Sequence, residues 1–219
     1  MKTLSFDAAR KALRAILGFV AVSFSSALVH AETLHFEDLP LNQVYDLDPN
    51  TPAQPDSFVT DDVPGQLAQF FFLPTGSTTA GIATVLDVAG SPAMAPGGAN
   101  QYLWINNVNL ALDFGGTVGE ISFLFGDFGG NVNLTVNHAQ ANATSMLGLV
   151  TSLGGTSIII SDFGGSRGKV TINGPIHAFS VGGQELSIDN LNYYPMPEPT
   201  VAALLALAPA VLLRRRPLR

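Results

Sequence analysis

Alternation of apolar and polar residues with a period of two constrains the fold of this 219-residue chain more than any other feature. It is clearest at residues 120–125, 131–137, 168–173 and 185–191. A β-strand turns successive side chains to opposite faces of its sheet, so this pattern indicates half-buried strands. Glycine and asparagine separate the segments. Since no sustained helical period occurs between the two ends of the chain, we predict an all-β domain, a single β-sandwich resembling a jelly roll.

Shorter apolar runs complete the predicted strands. They lie at residues 33–36, 85–88, 103–112, 157–161 and 178–181. Residues 46–64 are rich in proline and aspartate, and this composition predicts a long acidic loop.

The tetrapeptide Asp-Phe-Gly-Gly occurs three times, beginning at Asp113, Asp127 and Asp162. Glycine allows a positive φ, and the aspartate side chain can accept nearby backbone N–H groups. We therefore predict a turn or a bulge at each copy. A kinase function is excluded, because neither a phosphate-binding glycine loop nor a catalytic-loop motif accompanies these residues.

The N-terminal 31 residues have the organisation of a secretory signal peptide. Basic residues precede a short apolar stretch, and Val29 and Ala31 supply the small side chains that signal peptidase recognises. Cleavage after Ala31 would make Glu32 the first mature residue. The alternative is an N-terminal transmembrane anchor.

Residues 195–219 join a Pro-Glu-Pro element, the apolar run 201–213 and a basic end. The residues that define this pattern are Pro197, Glu198, Pro199, Arg214, Arg215 and Arg216. The tail resembles the PEP-CTERM sorting signal of Gram-negative bacteria. That resemblance implies a short transmembrane helix, recognition and processing by an exosortase at the inner membrane, and delivery to an exterior rich in exopolysaccharide. The alternatives are an ordinary tail anchor and a buried terminal helix.

Charge limits the partners of the mature domain. Between Glu32 and Met196 there are 15 acidic residues and only two basic ones, Arg167 and Lys169, which leaves a net charge of −13. We therefore expect no nucleic-acid partner, and anionic lipid headgroups are poor partners for the mature domain, because phosphate binding requires lysine and arginine. The chain contains no cysteine, so the domain depends on a hydrophobic core.

The mature region also resembles a family of secreted β-domain proteins without an assigned activity. The resemblance is carried by residues 36–40, 121–126, 128–134 and 178–190. It implies the β fold and no particular function.

Two candidate binding sites follow from residue type and position. Glu37 and Asp38 follow the first predicted strand, and Asp189 closes the last. Many jelly-roll carbohydrate-binding modules hold a structural Ca²⁺ between these two places, so a resemblance to them implies a calcium site formed by carboxylates here. The alternative is that they cap turns. Tyr102 and Trp104 are two residues apart and share a strand face, as a glycan-stacking pair would. The alternative is that Trp104 belongs to the core.

No catalytic residues are predicted. The sequence has no zinc-binding histidine motif and no Gly-x-Ser-x-Gly element, although Glu37, Glu120 and Glu185 could form the carboxylate pair of a small glycoside hydrolase. We expect a signal peptide at 1–31, a β-sandwich at 32–194 and a sorting signal at 195–219. The expected function is that of a non-catalytic surface or matrix protein, with a carbohydrate-binding module as the alternative.

Overall fold

The computed structural model describes residues 30–47, 55–70, 81–98 and 100–196. Within these ranges His30–Met196 belong to one compact unit. Val29 and the six residues of the predicted sorting motif lie outside the described residues, as do the two predicted terminal helices. In the described ranges no helix has the length and hydropathy needed to cross a membrane.

The described chain is all-β, as predicted, and its strands join into one large antiparallel sheet. Two short 3₁₀ turns, Pro92–Met94 and Met146–Gly148, interrupt the strands. The strands are β1 (Glu32–Leu34), β2 (Val44–Asp46), β3 (Ser57–Thr60), β4 (Val63–Gln69), β5 (Ile82–Asp87), β6 (Gln101–Asn106), β7 (Val108–Leu112), β8 (Val118–Val136), β9 (Ala139–Ala143), β10 (Ser152–Leu153), β11 (Thr156–Gly164), β12 (Arg167–Ile176) and β13 (Phe179–Pro195).

Two long strands organise the sheet. β8 and β13 pair with each other over most of their lengths, and each also pairs with other strands along its opposite edge. The first half of β13 lies in a branch with the order β9-β8-β13-β7-β4-β3. The second half of β13 lies in a branch with the order β10-β11-β12-β8-β13-β6-β5-β2. β1 pairs with the C-terminal part of β13.

Glycine and irregular pairing mark the level at which the branches separate. In β8, Gly129 and Gly130 have φ angles of 159° and 77°. On β13 the register with β8 shifts on both sides of Glu185. An extra residue in one strand bends it and increases its twist. β8 and β13 therefore bend at this level, and each continues as one strand from one branch into the other.

The Asp-Phe-Gly-Gly copies form turns and a bulge, as predicted. Asp113 Oδ1 accepts the N–H of Gly115 at 2.9 Å in the turn before β8. Asp162 Oδ1 accepts the N–H of Gly164 at 2.7 Å before β12. The copy that begins at Asp127 lies inside β8, at the bulge just described.

The hydrophobic core collects residues from both branches of the sheet. Leu67 and Leu110 come from the first branch, and Phe125 and Ile172 from the second. Burying each such side chain contributes about 1.5–3 kcal/mol. All the core residues that the structure describes lie within residues 34–193, so the unit His30–Met196 has a core of its own. We expect this unit to fold without the two terminal segments.

The prediction of a loop over residues 46–64 is wrong for the second half of that segment. Residues 57–60 and 63–69 form a β-hairpin, and Asp61 and Asp62 make its two-residue turn with φ angles of 47° and 65°. Two positive φ angles give a turn whose twist matches the flanking strands. Asp38 supports this turn through two hydrogen bonds. Its Oδ1 accepts one from the Thr60 hydroxyl group at 2.6 Å, and its Oδ2 accepts one from the Asp61 N–H at 2.9 Å.

Candidate functional site

An irregularity near the end of β13 shapes the candidate site. The register with β8 shifts between Asp189 and Asn192, and Asn190 adopts a left-handed φ of 46°. Asp189 Oδ1 accepts the Asn190 N–H at 2.6 Å, and His35 Nδ1 lies 2.9 Å from Asn190 Oδ1. Bulges commonly redirect side chains next to functional sites.

Four further non-glycine residues near this bulge have left-handed backbones: Phe36, Asp61, Asp62 and Asn100, with φ angles of 59°, 47°, 65° and 60°. Hydrogen bonds join their segments. The His35 N–H donates to Asp61 Oδ2 at 2.9 Å, and the Gln101 N–H donates to Glu37 Oε1 at 3.1 Å. Such conformations cost on the order of 1 kcal/mol each and concentrate at functional sites. Their grouping here marks this end of the domain as the candidate site.

Residues 91–98, which we name the strap, cover part of the sheet beside the bulge. Its carbonyl oxygens accept hydrogen bonds from three side chains of the sheet. Tyr102 Oη donates to Ser91 at 2.8 Å, and Ser187 Oγ donates to Met94 at 2.5 Å. Arg167 Nε donates to Ala95 at 2.7 Å and its Nη2 donates to Ala93 at 2.9 Å. The strap is therefore fixed to β6, β12 and β13.

Asp189 lies beneath the strap and is completely buried. Its Oδ2 has no hydrogen-bond partner among the described residues, and a Cβ added to Gly98 would lie 1.5 Å from that oxygen. Burial raises the pKa of Asp189 to about 7; the Asn190 N–H and the His35 charge oppose this rise, and the Glu37 charge adds to it. An unpaired buried carboxyl group is costly when ionised, which accounts for the direction of this shift.

The three residues predicted to bind Ca²⁺ are used differently. Both Asp38 oxygens accept hydrogen bonds from the β3–β4 turn, and Glu37 accepts the Gln101 N–H. Asp189 alone is buried. In the ranges that the structure covers, no three His, Cys, Asp or Glu side chains are arranged to hold a metal ion. The calcium prediction therefore depends on Asp189, with Glu37 as its acidic neighbour.

The prediction that Tyr102 contacts a glycan is wrong. Tyr102 is fully buried and its hydroxyl group is bonded to the strap, so its ring offers no surface for stacking. The sequence pattern predicted that the strand face with Tyr102 is accessible, but the strap covers that face at Tyr102. Trp104 is half-buried, and its Nε1 is a buried donor without a partner in the described part of the chain. A glycan contact at Trp104 stays a prediction.

A polar cleft of about 310 Å³ opens on the bulge. Its lining residues are Thr33, His35, Leu124, Lys169, Asn190 and Asn192. Thr33 Oγ1 donates to Asn192 Oδ1 at 2.6 Å, and Asn192 Nδ2 donates to the Asn190 carbonyl at 2.8 Å. These bonds fix the asparagines, while the Lys169 ammonium has no hydrogen bond or ion pair with any described residue. The cleft therefore offers hydroxyl, amide, imidazole and ammonium groups to a small polar ligand.

The sequence does not single out Asn190, Asn192 and Lys169, because each is a polar residue in an alternating segment, as on the exposed face of any strand. The available signal was Asp189-Asn190, a pair typical of turns, inside a strand pattern. Comparisons with family models, with curated proteins and with solved structures find no match to this chain. The chemistry of the site is thus the only guide to what it binds.

Proposed function

We propose that this protein is an exported, exosortase-processed β-domain that serves as a non-catalytic component of the cell surface or extracellular matrix of a Gram-negative bacterium. The C-terminal pattern of Pro197-Glu198-Pro199, apolar run and arginines carries this proposal. The limits of the compact unit support it, because His30–Met196 begins beside the predicted cleavage site and ends one residue before Pro197. Signal peptidase, exosortase and, during export, the inner membrane would be its partners.

The same proposal includes the finer architecture. We infer that the sheet folds over itself as a β-sandwich, because a single core receives side chains from both branches. Bent strands that pass from one layer to the other are a known way to build such a packing. The jelly-roll connectivity stays a prediction.

The carboxylates of the described clefts bear on the small glycoside hydrolase that the sequence leaves as an alternative. Glycoside hydrolysis needs two carboxylates that face one another across a substrate cleft. Among the described residues, the cleft at the bulge is lined by none, a second cleft by Glu185 alone and a third by Asp113 alone. None of these three described clefts holds such a pair, and the small glycoside hydrolase stays an alternative prediction.

The sorting proposal is tested by following the full chain in a Gram-negative host that contains an exosortase. We expect the mature protein to begin at Glu32, and its intact mass to show loss of the arginine-containing end. Replacing Pro197, Glu198 and Pro199 together by alanine should leave an uncleaved form in the inner membrane. The control is Pro195→Ala, a proline just outside the motif. Equal processing of both variants would contradict the proposal.

Carbohydrate binding is a second candidate, favoured by the polar cleft at the bulge rather than by the buried Tyr102. Asparagine, histidine and lysine side chains can bond to sugar hydroxyl groups, and a cleft of this size accommodates a small ligand. In a screen of neutral and acidic oligosaccharides, we expect Lys169→Ala to weaken binding about tenfold, the loss of about one hydrogen bond to a charged group. Trp104→Ala tests the separate glycan contact predicted at Trp104. A loss of binding in Trp104→Ala but not in Lys169→Ala would move the contact from the cleft to Trp104, and no binding at all would remove this candidate.

A further inference from the structure

In the part of the chain that the structure describes, the outer edge of β11 is open beyond Ile158. Among the described strands, β11 pairs only with β12 and with the two residues of β10, which cover Thr156 and Ser157. The Ile158 N–H points away from β12, because it donates to the Thr151 carbonyl at 2.8 Å. Successive residues of a strand direct their backbone groups to opposite edges, so Ile160 and Asp162 also face outward. An open edge of this kind is a template for another strand.

The surface around this edge is unusually apolar. Half of the large apolar side chains that are exposed in the described residues lie between residues 147 and 163: Leu147, Val150, Ile159 and Phe163. Ile159 and Phe163 are 57% and 61% exposed. Clusters of exposed apolar side chains commonly mark interaction surfaces.

The same region lacks the acidic charge of the rest of the domain. Of the Asp, Glu, Lys and Arg residues, residues 128–184 contain only Asp162, Arg167 and Lys169, a net charge of +1. Residues 32–196 as a whole carry −13. Two copies that approach each other through β11 therefore avoid the repulsion that opposes contact elsewhere on the domain.

We propose that two copies of this chain associate through the open edges of their β11 strands, in antiparallel register about a two-fold axis at Ser161. In this register Ile160 of one copy lies opposite Asp162 of the other, so both pairs of outward N–H and C=O groups are satisfied. Ile159 of one copy faces Phe163 of the other, an apolar–aromatic pair of the kind that stabilises antiparallel strands. The contact is the same on both copies, as two-fold symmetry requires.

The axis predicts a specific cross-link, and the absence of cysteine from the chain makes the test clean. Antiparallel partners that do not share hydrogen bonds have Cα atoms about 4.5 Å apart, within the range that a disulfide spans. In residues 30–196, Ser161→Cys should form a covalent dimer under mild oxidation. Ser157→Cys is the matched control, since it changes the same residue type on the same exposed face, but its two copies would lie far from each other.

Sedimentation of the unmodified domain provides an independent measurement. We expect the average mass to rise toward that of a dimer with increasing concentration, and Ser161→Lys to prevent this rise by placing two like charges opposite each other. A domain that stays monomeric at all concentrations would overturn the proposal. So would equal cross-linking of the Ser161→Cys and Ser157→Cys variants.

Discussion

Raising the pH from 5 to 8 should lower the free energy of unfolding of residues 30–196 by about 2–3 kcal/mol through Asp189 alone. Burial holds the pKa of this carboxyl group at about 7, compared with 3.8 for an unburied aspartate. Between these two values the folded state keeps a proton that the unfolded state has released, so stability is lost as the pH rises through 7. Burial also raises the pKa of Asp127, which adds to the same trend.

Thermal unfolding at several pH values tests this prediction. Asp189→Asn keeps the shape and an oxygen for the Asn190 N–H but cannot ionise, so its stability should vary much less with pH. Asp113→Asn is the control, because Asp113 is exposed and also accepts a backbone N–H. If wild type and Asp189→Asn respond to pH in the same way, Asp189 does not have the raised pKa.

The calcium prediction is decided in the same experiment. Extracellular calcium modules bind in the range of about 10⁻⁴–10⁻³ M, so adding calcium at about 1 mM, with EDTA as the reference, is sufficient. A bound cation would favour the ionised carboxylate and raise the unfolding temperature of the wild type at pH 8. It would have no effect on Asp189→Asn. An unchanged temperature would leave Asp189 as a buried acid without a metal ion.

Phe36→Ala should destabilise the same domain by about 3–5 kcal/mol. Phe36 is one of the largest side chains with no exposed surface, and its removal leaves a cavity beneath the candidate site. Alanine would also keep the unfavourable left-handed φ of 59° at this position. Chemical denaturation with urea or guanidinium measures the difference.

Phe163→Ala provides the matched control for this substitution. It deletes the same side chain at a position that is 61% exposed, so a monomeric domain should lose no more than about 0.5 kcal/mol. The comparison is made at a protein concentration where the domain is monomeric, because Phe163 lies in the proposed contact between copies. Comparable losses for the two variants under that condition would mean that Phe36 is not part of the core.

Sequence reasoning succeeded where a segment has one buried face. The alternation in 168–173 correctly predicts β12, and that in 185–191 lies within β13, because a strand with one buried face shows a period of two in its sequence. It failed at the boundaries between strands. The alternation predicts separate strands at residues 120–125 and 131–137, yet β8 continues through the bulge between them. The apolar run predicts one strand at residues 103–112, yet Asn107, with a φ of 56°, divides it into β6 and β7.

The candidate site was harder to predict, because its parts come together only in the folded chain. Asp189 could be selected by residue type, but its burial depends on the strap, which is distant in sequence. The hairpin turn at Asp61-Asp62 has two positive φ angles but lacks glycine, the residue by which such a turn is usually predicted from sequence. Asp38 and His35, also distant in sequence, hold that turn in place. Local sequence patterns cannot predict these contacts, because the residues that make them are far apart in the chain.

The position of β13 in the sheet has a mechanical consequence. This strand ends at Pro195, the last strand residue of the compact unit, and it is bonded along both edges to β8, β7, β6 and β1. A force that pulls on the chain beyond Met196 is therefore directed along a central strand and shears its hydrogen bonds collectively. Peeling a strand at the rim would break them one by one. A domain tethered through its C-terminal end would resist detachment by flow better than one tethered through an edge strand.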